Sequence, residues 1–530
     1  MSRIGIRVCG AAAYERLLHE ADAKPETFWR EVFDYFGIRF AAPCTRILDT
    51  SFGMPWTVWC VGGETNLVHH CLDRHRDTPV WTKPALVWRS EDGRSETLSY
   101  REIDAAVCRL AIALCALGVR PGDVVGLRLP GISEAVIATL AVLKIGAVLL
   151  PLERTLGDGE LARRLGDAQA VVLVTADRDE RGTATEALRT AIAELPDLQH
   201  HIIVCERGMP IVRRRPRIQR WHRLVRRGAA ALPTLTRPAD APALIVYTEE
   251  GSGPAVATVQ THGGFLAKLL VDFGLCLDWR QEDRVAWIAD PGTLAGPLQI
   301  VATTLLGATL ILAGDDESAA WRFAGACEAS VLALDCDRID PRVAADAAAV
   351  AAAVSPALRE VVAVGTGSHA DAHPWITARL CRDSVPLLRY ETCIALGGGV
   401  LTGTLLHGAG CVPVPGCRLD LVAARGDAHA DAASGALVLR RPYIALTRGL
   451  WNDPARYLER YWSRGPEICD LGLAARRRVD GSWSLIERIP PHPGRAPGAG
   501  AANPVALHSP AVTPSALDIG RPARHPEQAS

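Results

Sequence analysis

Lysine is almost missing from this chain. Among its 58 lysines and arginines only Lys24, Lys83, Lys144 and Lys268 are lysine, and none follows position 268. Chemistry that needs a lysine ammonium is therefore excluded from residues 269–530. Paired cysteines are missing as well: the 15 cysteines are scattered, with no CxxC. An odd, dispersed set predicts free thiols in a reducing compartment, not a disulfide framework, and the cytoplasm is the expected home. Neither a GxSxG elbow nor an HExxH helix occurs, which removes the hydrolase and zinc-peptidase classes those motifs mark. Long charge-free apolar runs are also lacking. The stretch 135–151 is cut by Lys144, and 291–314 carries Pro291-Gly292 and Gly296-Pro297, so buried elements are expected there and no membrane span. The N-terminus turns polar too early for a secretory signal. A net charge of −1 supplies no field toward nucleic acid or anionic membrane, and the arginine groups 213–215 and 226–227 are expected to be solvated.

What is present is a soluble globular composition, 48% hydrophobic and 22% charged over 530 residues, enough for two to four domains. Over 84–175 strand and helix signals alternate. Ser99-Tyr100-Arg101-Glu102 has the spacing of a capping box. Behind it Ile103, Val107, Leu110, Leu114 and Leu117 fall on one helical face, and Gly118 stops the helix. A second alternating stretch begins near 241. Such alternation predicts an α/β fold with mostly parallel sheets. The expected division is an extension over 1–80, a first doubly wound α/β subdomain over 81–205 and a basic linker over 206–240. A second α/β subdomain follows over 241–410, then a β-rich subdomain over 411–489. The Pro/Gly/Ala-rich tail over 490–530 has no apolar period and is expected to be disordered.

Several ordered blocks resemble the adenylate-forming acyl-CoA synthetases, and within them the acetyl-/propionyl-CoA synthetase branch. They are Pro25-Glu26-Thr27-Phe28-Trp29, Trp59-Cys60-Val61-Gly62-Gly63 with Asn66 and Asp73-Arg74-His75, and Thr261-His262-Gly263-Gly264-Phe265. Arg440-Arg441-Pro442, Thr447-Arg448-Gly449-Leu450-Trp451 and Tyr457-Leu458-Glu459 through Arg464 complete the series. The resemblance covers roughly 15–489. It implies the large N-terminal domain of such an enzyme, ATP with Mg²⁺ and CoA as cofactors, and a small carboxylic acid or acyl-CoA as partner. It also implies that His69, His70, Cys71 and His75, metal-like in spacing, belong to a structural block.

Against that pattern the ATP motifs are altered. The phosphate loop should lie at 247–265, opening with Tyr247-Thr248 and keeping Ser252-Gly253. Glu249 and Glu250 stand where the family has Ser and Gly, and Val256 replaces the lysine. Each added carboxylate facing a phosphate at ~5 Å costs on the order of 3 kcal/mol at an effective dielectric of 20. Gly365-Thr366-Gly367 resembles the backbone beside adenine. For the family's Thr-Glu pair two registers stay open: Glu391 survives as a metal ligand, or Ile394-Ala395 take both places. Near Asp290-Pro291-Gly292 the family's Gly-Trp becomes Gly292-Thr293. Gly472 fits the Gly of the ribose motif, but Leu473 takes the place of its Asp. Arg488 matches the hinge arginine. Beyond the hinge the family has a lid domain that delivers a catalytic lysine, a role no residue after 268 can fill. The expectation is a catalytically impaired synthetase relative. The alternatives are a non-catalytic nucleotide- or acyl-binding or scaffold protein, and an active short-chain ligase whose lid comes from a partner chain.

Overall fold

The helix Tyr100–Ala116 shows how local chemistry sets an element. The Ser99 hydroxyl accepts from the Glu102 amide at 3.3 Å while the Glu102 carboxylate takes the Ser99 amide at 2.8 Å, the reciprocal cap its sequence calls for. Ile103, Val107, Leu110 and Leu114 are buried on its inner face. Gly118 follows at φ +93°, a left-handed conformation open to glycine at little cost.

The structure, a computed structural model, describes residues 11–90, 93–176, 194–204, 218–226, 231–250, 253–314, 316–336, 346–365, 372–381, 385–404, 408–423 and 433–489. The tail over 490–530 lies outside them. Two large sheets form the body. One has seven strands, in the order Ile218–Arg220, His200–Val204, Ala170–Ala176, Val124–Arg128, Val148–Pro151, Pro242–Glu250 and Gly253–Thr261. All neighbours in it run parallel except the last pair, an antiparallel hairpin. The other has thirteen strands. Its parallel half runs Leu387–Cys393, Glu360–Gly365, Val331–Asp335, Arg284–Ile288, Thr309–Ala313, Pro84–Arg89. Its antiparallel half continues through Gly398–Thr404 and Gly408–Pro413 into the strands between 419 and 488.

Strand pairing crosses the segment boundaries suggested by the sequence. Pro84–Arg89 and Ser95–Ser99 join the thirteen-stranded sheet, where Leu86 pairs with Leu310. The hairpin 242–261 closes the seven-stranded one, with Leu244 beside Leu149. Part of the basic linker is also built in: Ile218–Arg220 extends that sheet, and Trp221 is buried.

One apolar cluster reaches both sheets and the N-terminal helices. Trp29 of the helix Pro25–Tyr35 is 1% exposed and meets Tyr443 edge to face at 5.9 Å. Aromatic pairs of this kind add to the large apolar area that such rings bury. Lys144, which interrupts the apolar run 135–151, is itself buried; its ammonium lies 3.4 Å from Asp104 and 3.6 Å from Asp73. Among the described residues no helix is long and apolar enough to cross a membrane.

Candidate nucleotide and acyl site

In open parallel sheets, ligands sit beyond the carboxyl ends of strands, where the winding reverses. Here the reversal falls at Arg284–Ile288. The chain leaves it toward Thr309–Ala313 on one side and returns at Val331–Asp335 on the other. The ends of these three strands line a crevice of about 240 Å³ with Trp287, Asp290, Asp335 and Glu317, and Arg154, which follows the strand Val148–Pro151 of the other sheet, lines it too. One wall is tight. A Cβ built on Gly292 would meet the Leu152 carbonyl oxygen at 2.2 Å, so the loop after Asp290 rests backbone to backbone on 152–153.

The neighbouring strand ends hold the residues expected near nucleotide. Gly365 pairs in register with Glu391, and the Thr392 hydroxyl donates to the Gly365 carbonyl at 3.4 Å. Thr366 and Gly367 lie outside the described residues. Glu391 is buried and forms an ion pair with Arg389. Beyond it Ile394–Leu396 makes a single 3₁₀ turn, and the Ala395 carbonyl accepts from the Thr447 amide at 2.6 Å. Neither Ile394 nor Ala395 offers a side-chain oxygen. Among the described residues no three His, Cys, Asp or Glu side chains gather as a metal-binding set. Of the two places the resemblance leaves open for the metal ligand, Glu391 carries a carboxylate paired with Arg389 and Ile394-Ala395 carry none.

The segment where the resemblance places the phosphate loop is a hairpin. Thr248 pairs with Val256 and Glu250 with Gly253; Ser252 lies outside the described residues. Val256 is 3% exposed and belongs to the main core, so its side chain is packed inward. The block Thr447 to Trp451 runs along this hairpin's second strand, with the Arg448 amide on the Val259 carbonyl at 2.9 Å and the Trp451 amide on Ala257 at 2.8 Å.

Gly472, Leu473 and Arg488 come together. Leu473 faces Arg488 across the antiparallel pair Cys469–Arg477 and Trp483–Arg488, and the Ile489 amide donates to the Gly472 carbonyl at 3.0 Å. Gly472 has φ +67°, and a Cβ there would lie 2.2 Å from Arg460. Leu473 is 4% exposed, inside the core, whereas Arg488 is exposed. Gly365 and Glu391 thus pair on neighbouring strands, Gly472 and Arg488 lie on a separate hairpin of the same sheet, and Thr248 and Gly253 sit on the hairpin of the other sheet.

The histidine cluster is structural. His70 Nε2 meets the Thr65 hydroxyl at 2.8 Å and His75 Nε2 the Thr304 carbonyl at 3.1 Å. Burial holds His70 down to about 3 and His75 to about 4. The sequence also gave no sign of the buried set around Lys268. Its ammonium bonds Asp272 at 2.7 Å and the Gly399 carbonyl, and Tyr390 donates to the same Asp272.

Comparison with known proteins agrees with this architecture. Residues 72–451 match the AMP-binding enzyme family, and residues 14–71 match the acetyl-coenzyme A synthetase N-terminus. An acetyl-coenzyme A synthetase from Deinococcus radiodurans is 28% identical over 503 residues, covering 92% of this chain and 76% of that protein. One from Thiobacillus denitrificans is 29% identical over 504 residues, with 91% and 76% covered. The solved acetoacetyl-CoA synthetase from Streptomyces lividans superposes with a TM-score of 0.79 at 25% identity, covering 90% of this chain and 75% of that one. The chain belongs to the AMP-binding enzyme family.

Proposed function

We propose that this chain is an acyl-CoA synthetase relative that has lost carboxylate adenylation and keeps an acyl- or acyl-CoA-binding crevice. The observation that carries the proposal is Leu473. A ribose-binding carboxylate accepts two hydroxyl hydrogen bonds, and a leucine accepts none. Its side chain is packed in the apolar core, 4% exposed. The Glu391–Arg389 ion pair supports the same conclusion, because a carboxylate already engaged by a guanidinium is a poor donor to Mg²⁺. Val256 adds a third term, an apolar side chain in the core where the resemblance places a phosphate-binding lysine.

The crevice at the strand ends supports retained binding. Its floor is apolar and aromatic, with Trp287, Ile311 and Leu312, and its rim is charged. That combination suits an acyl chain with a polar head. ATP–pyrophosphate exchange with acetate, propionate and longer acids tests the loss of chemistry. Exchange above background for any acid would overturn the proposal. Thermal stabilisation by acyl-CoA, with no shift from ATP, is the expected binding result.

A further inference from the structure

A second, smaller cavity lies apart from the crevice and shares none of its lining residues. It holds about 30 Å³ and sits where three parts of the chain meet: residues 54–60 of the N-terminal extension, the start of the helix His262–Leu269, and the block 442–448. Asp240 lines it too. The helix start is pressed against its neighbours. A Cβ on Gly264 would meet the Ile444 carbonyl oxygen at 2.7 Å, and one on Gly263 the Ala239 carbonyl oxygen at 3.0 Å, so side chains at these two places would hold the parts apart. The Thr261 hydroxyl accepts from the Gly264 amide at 3.1 Å, and the Gly263 amide donates to the Ala239 carbonyl at 2.7 Å. These bonds fix the first turn of the helix, and with it the positive end of its dipole, at the cavity wall.

Arg448 is the second, independent feature. Its side chain lines the same cavity, the residue is 7% exposed, and its Nη2 has no hydrogen-bond partner. Among the described residues no carboxylate forms an ion pair with it. Burial pulls its guanidinium below the usual range, although Asp240 acts the other way. A buried cation without a counter-charge is costly. Water in the cavity would satisfy the N–H groups but not the charge. The volume admits about two water-sized bodies, too few for a nucleotide, a CoA or a long acid.

We propose that this cavity binds one small monovalent anion, a halide or the carboxylate of formate, held by the Arg448 guanidinium at the N-terminal end of the helix His262–Leu269. Asp240 repels that anion and keeps its affinity low. The block that carries Arg448 reaches the hairpin 242–261 through its own amide on Val259, and the turn Ile394–Leu396 through the Thr447 amide on Ala395. A bound anion therefore steadies a segment that joins both sheets.

Thermal unfolding of the full chain tests this. At constant ionic strength, sodium chloride in one series and sodium formate in another replace sodium gluconate, whose bulky anion does not fit the cavity. The midpoint is expected to rise and saturate in at least one series, and the lower half-saturating concentration identifies the preferred anion. Arg448→Gln should abolish the difference from gluconate. Asp240→Asn removes the competing charge and should lower the half-saturating concentration about fivefold. If Arg448→Gln does not fold, Asp240→Asn decides alone: a half-saturating concentration that stays the same or rises would show that Asp240 serves Arg448 as its partner, and would overturn the proposal. So would a midpoint that neither chloride nor formate raises above gluconate, or a rise that persists in Arg448→Gln.

Discussion

The Lys268 ammonium sits 2.7 Å from the Asp272 carboxylate, and neither side chain reaches solvent. Asp272 in turn accepts from Tyr390 and from the Gly399 amide at 2.9 Å, so one buried network ties the helix His262–Leu269 to the strand Gly398–Thr404. Lysine is scarce in this chain, yet this one is fully committed to structure. Removing one partner of such a pair leaves the other charge buried without compensation, at a cost of about 3–5 kcal/mol. Lys268→Met should therefore lower the urea midpoint strongly. A midpoint within experimental error of wild type would show that the network contributes little.

Glu360 offers a pH test. It begins a parallel strand at the end opposite the crevice, and burial raises its carboxyl from 4.5 to about 8. Arg359 at 3.2 Å pulls the other way, but its guanidinium is closed on Asp283 at 2.6 and 2.8 Å. Burial therefore prevails, and the neutral acid is the favoured form. Between these two values the folded chain holds a proton that the unfolded chain has released. Stability must then fall as pH rises from about 5 to 8, by at most about 1.4 kcal/mol per pH unit. Buried His70, His75 and His262, all held below 6.5, act oppositely but are silent above that value. Glu360→Gln should flatten the decline between pH 7 and 8 in urea titrations. An unchanged slope would mean that Glu360 is ionised in the folded chain.

Local elements were legible because their causes are local. The Ser99–Glu102 cap, the helix face behind it and the Gly118 stop all depend on residues a few positions apart. Sheet membership was not, since the partner of Leu86 is Leu310 and that of Leu244 is Leu149. No periodicity encodes such distant choices. The site was legible in part. Motif spacing pointed to Gly365 and Glu391, which pair across neighbouring strands, and to Gly472 and Arg488, which lie on another hairpin. It could not show that Glu391 is engaged by Arg389, because a neighbour two residues away on a strand reads as ordinary surface charge until burial is known.

The hairpin 242–261 separates two effects that the sequence joined. Replacing Glu249→Ser and Glu250→Gly removes two negative charges from the hairpin turn. That double variant should show a thermal shift with ATP at a nucleotide concentration where the wild-type chain shows none. Val256→Lys should do the reverse to the fold. It drives an ammonium into the main core, at a cost on the order of 3 kcal/mol. A stable Val256→Lys protein would mean that the strand can rotate this position toward solvent.

Leu473→Asp tests the proposed loss of function most directly. The position faces Arg488 across the strand pair, with Gly472 packed against Arg460 beside it, so two cations stand ready to compensate a new carboxylate. The substitution removes a buried leucine and should lower stability by about 2–5 kcal/mol. It should also create weak AMP binding where wild type has none, measured by calorimetry. Pyrophosphate exchange should stay at background, because Ile394 and Ala395 still supply no oxygen for the metal. If Leu473→Asp folds and AMP still does not bind, the ribose contact is not what this chain lost, and the lesion lies at the phosphate hairpin instead.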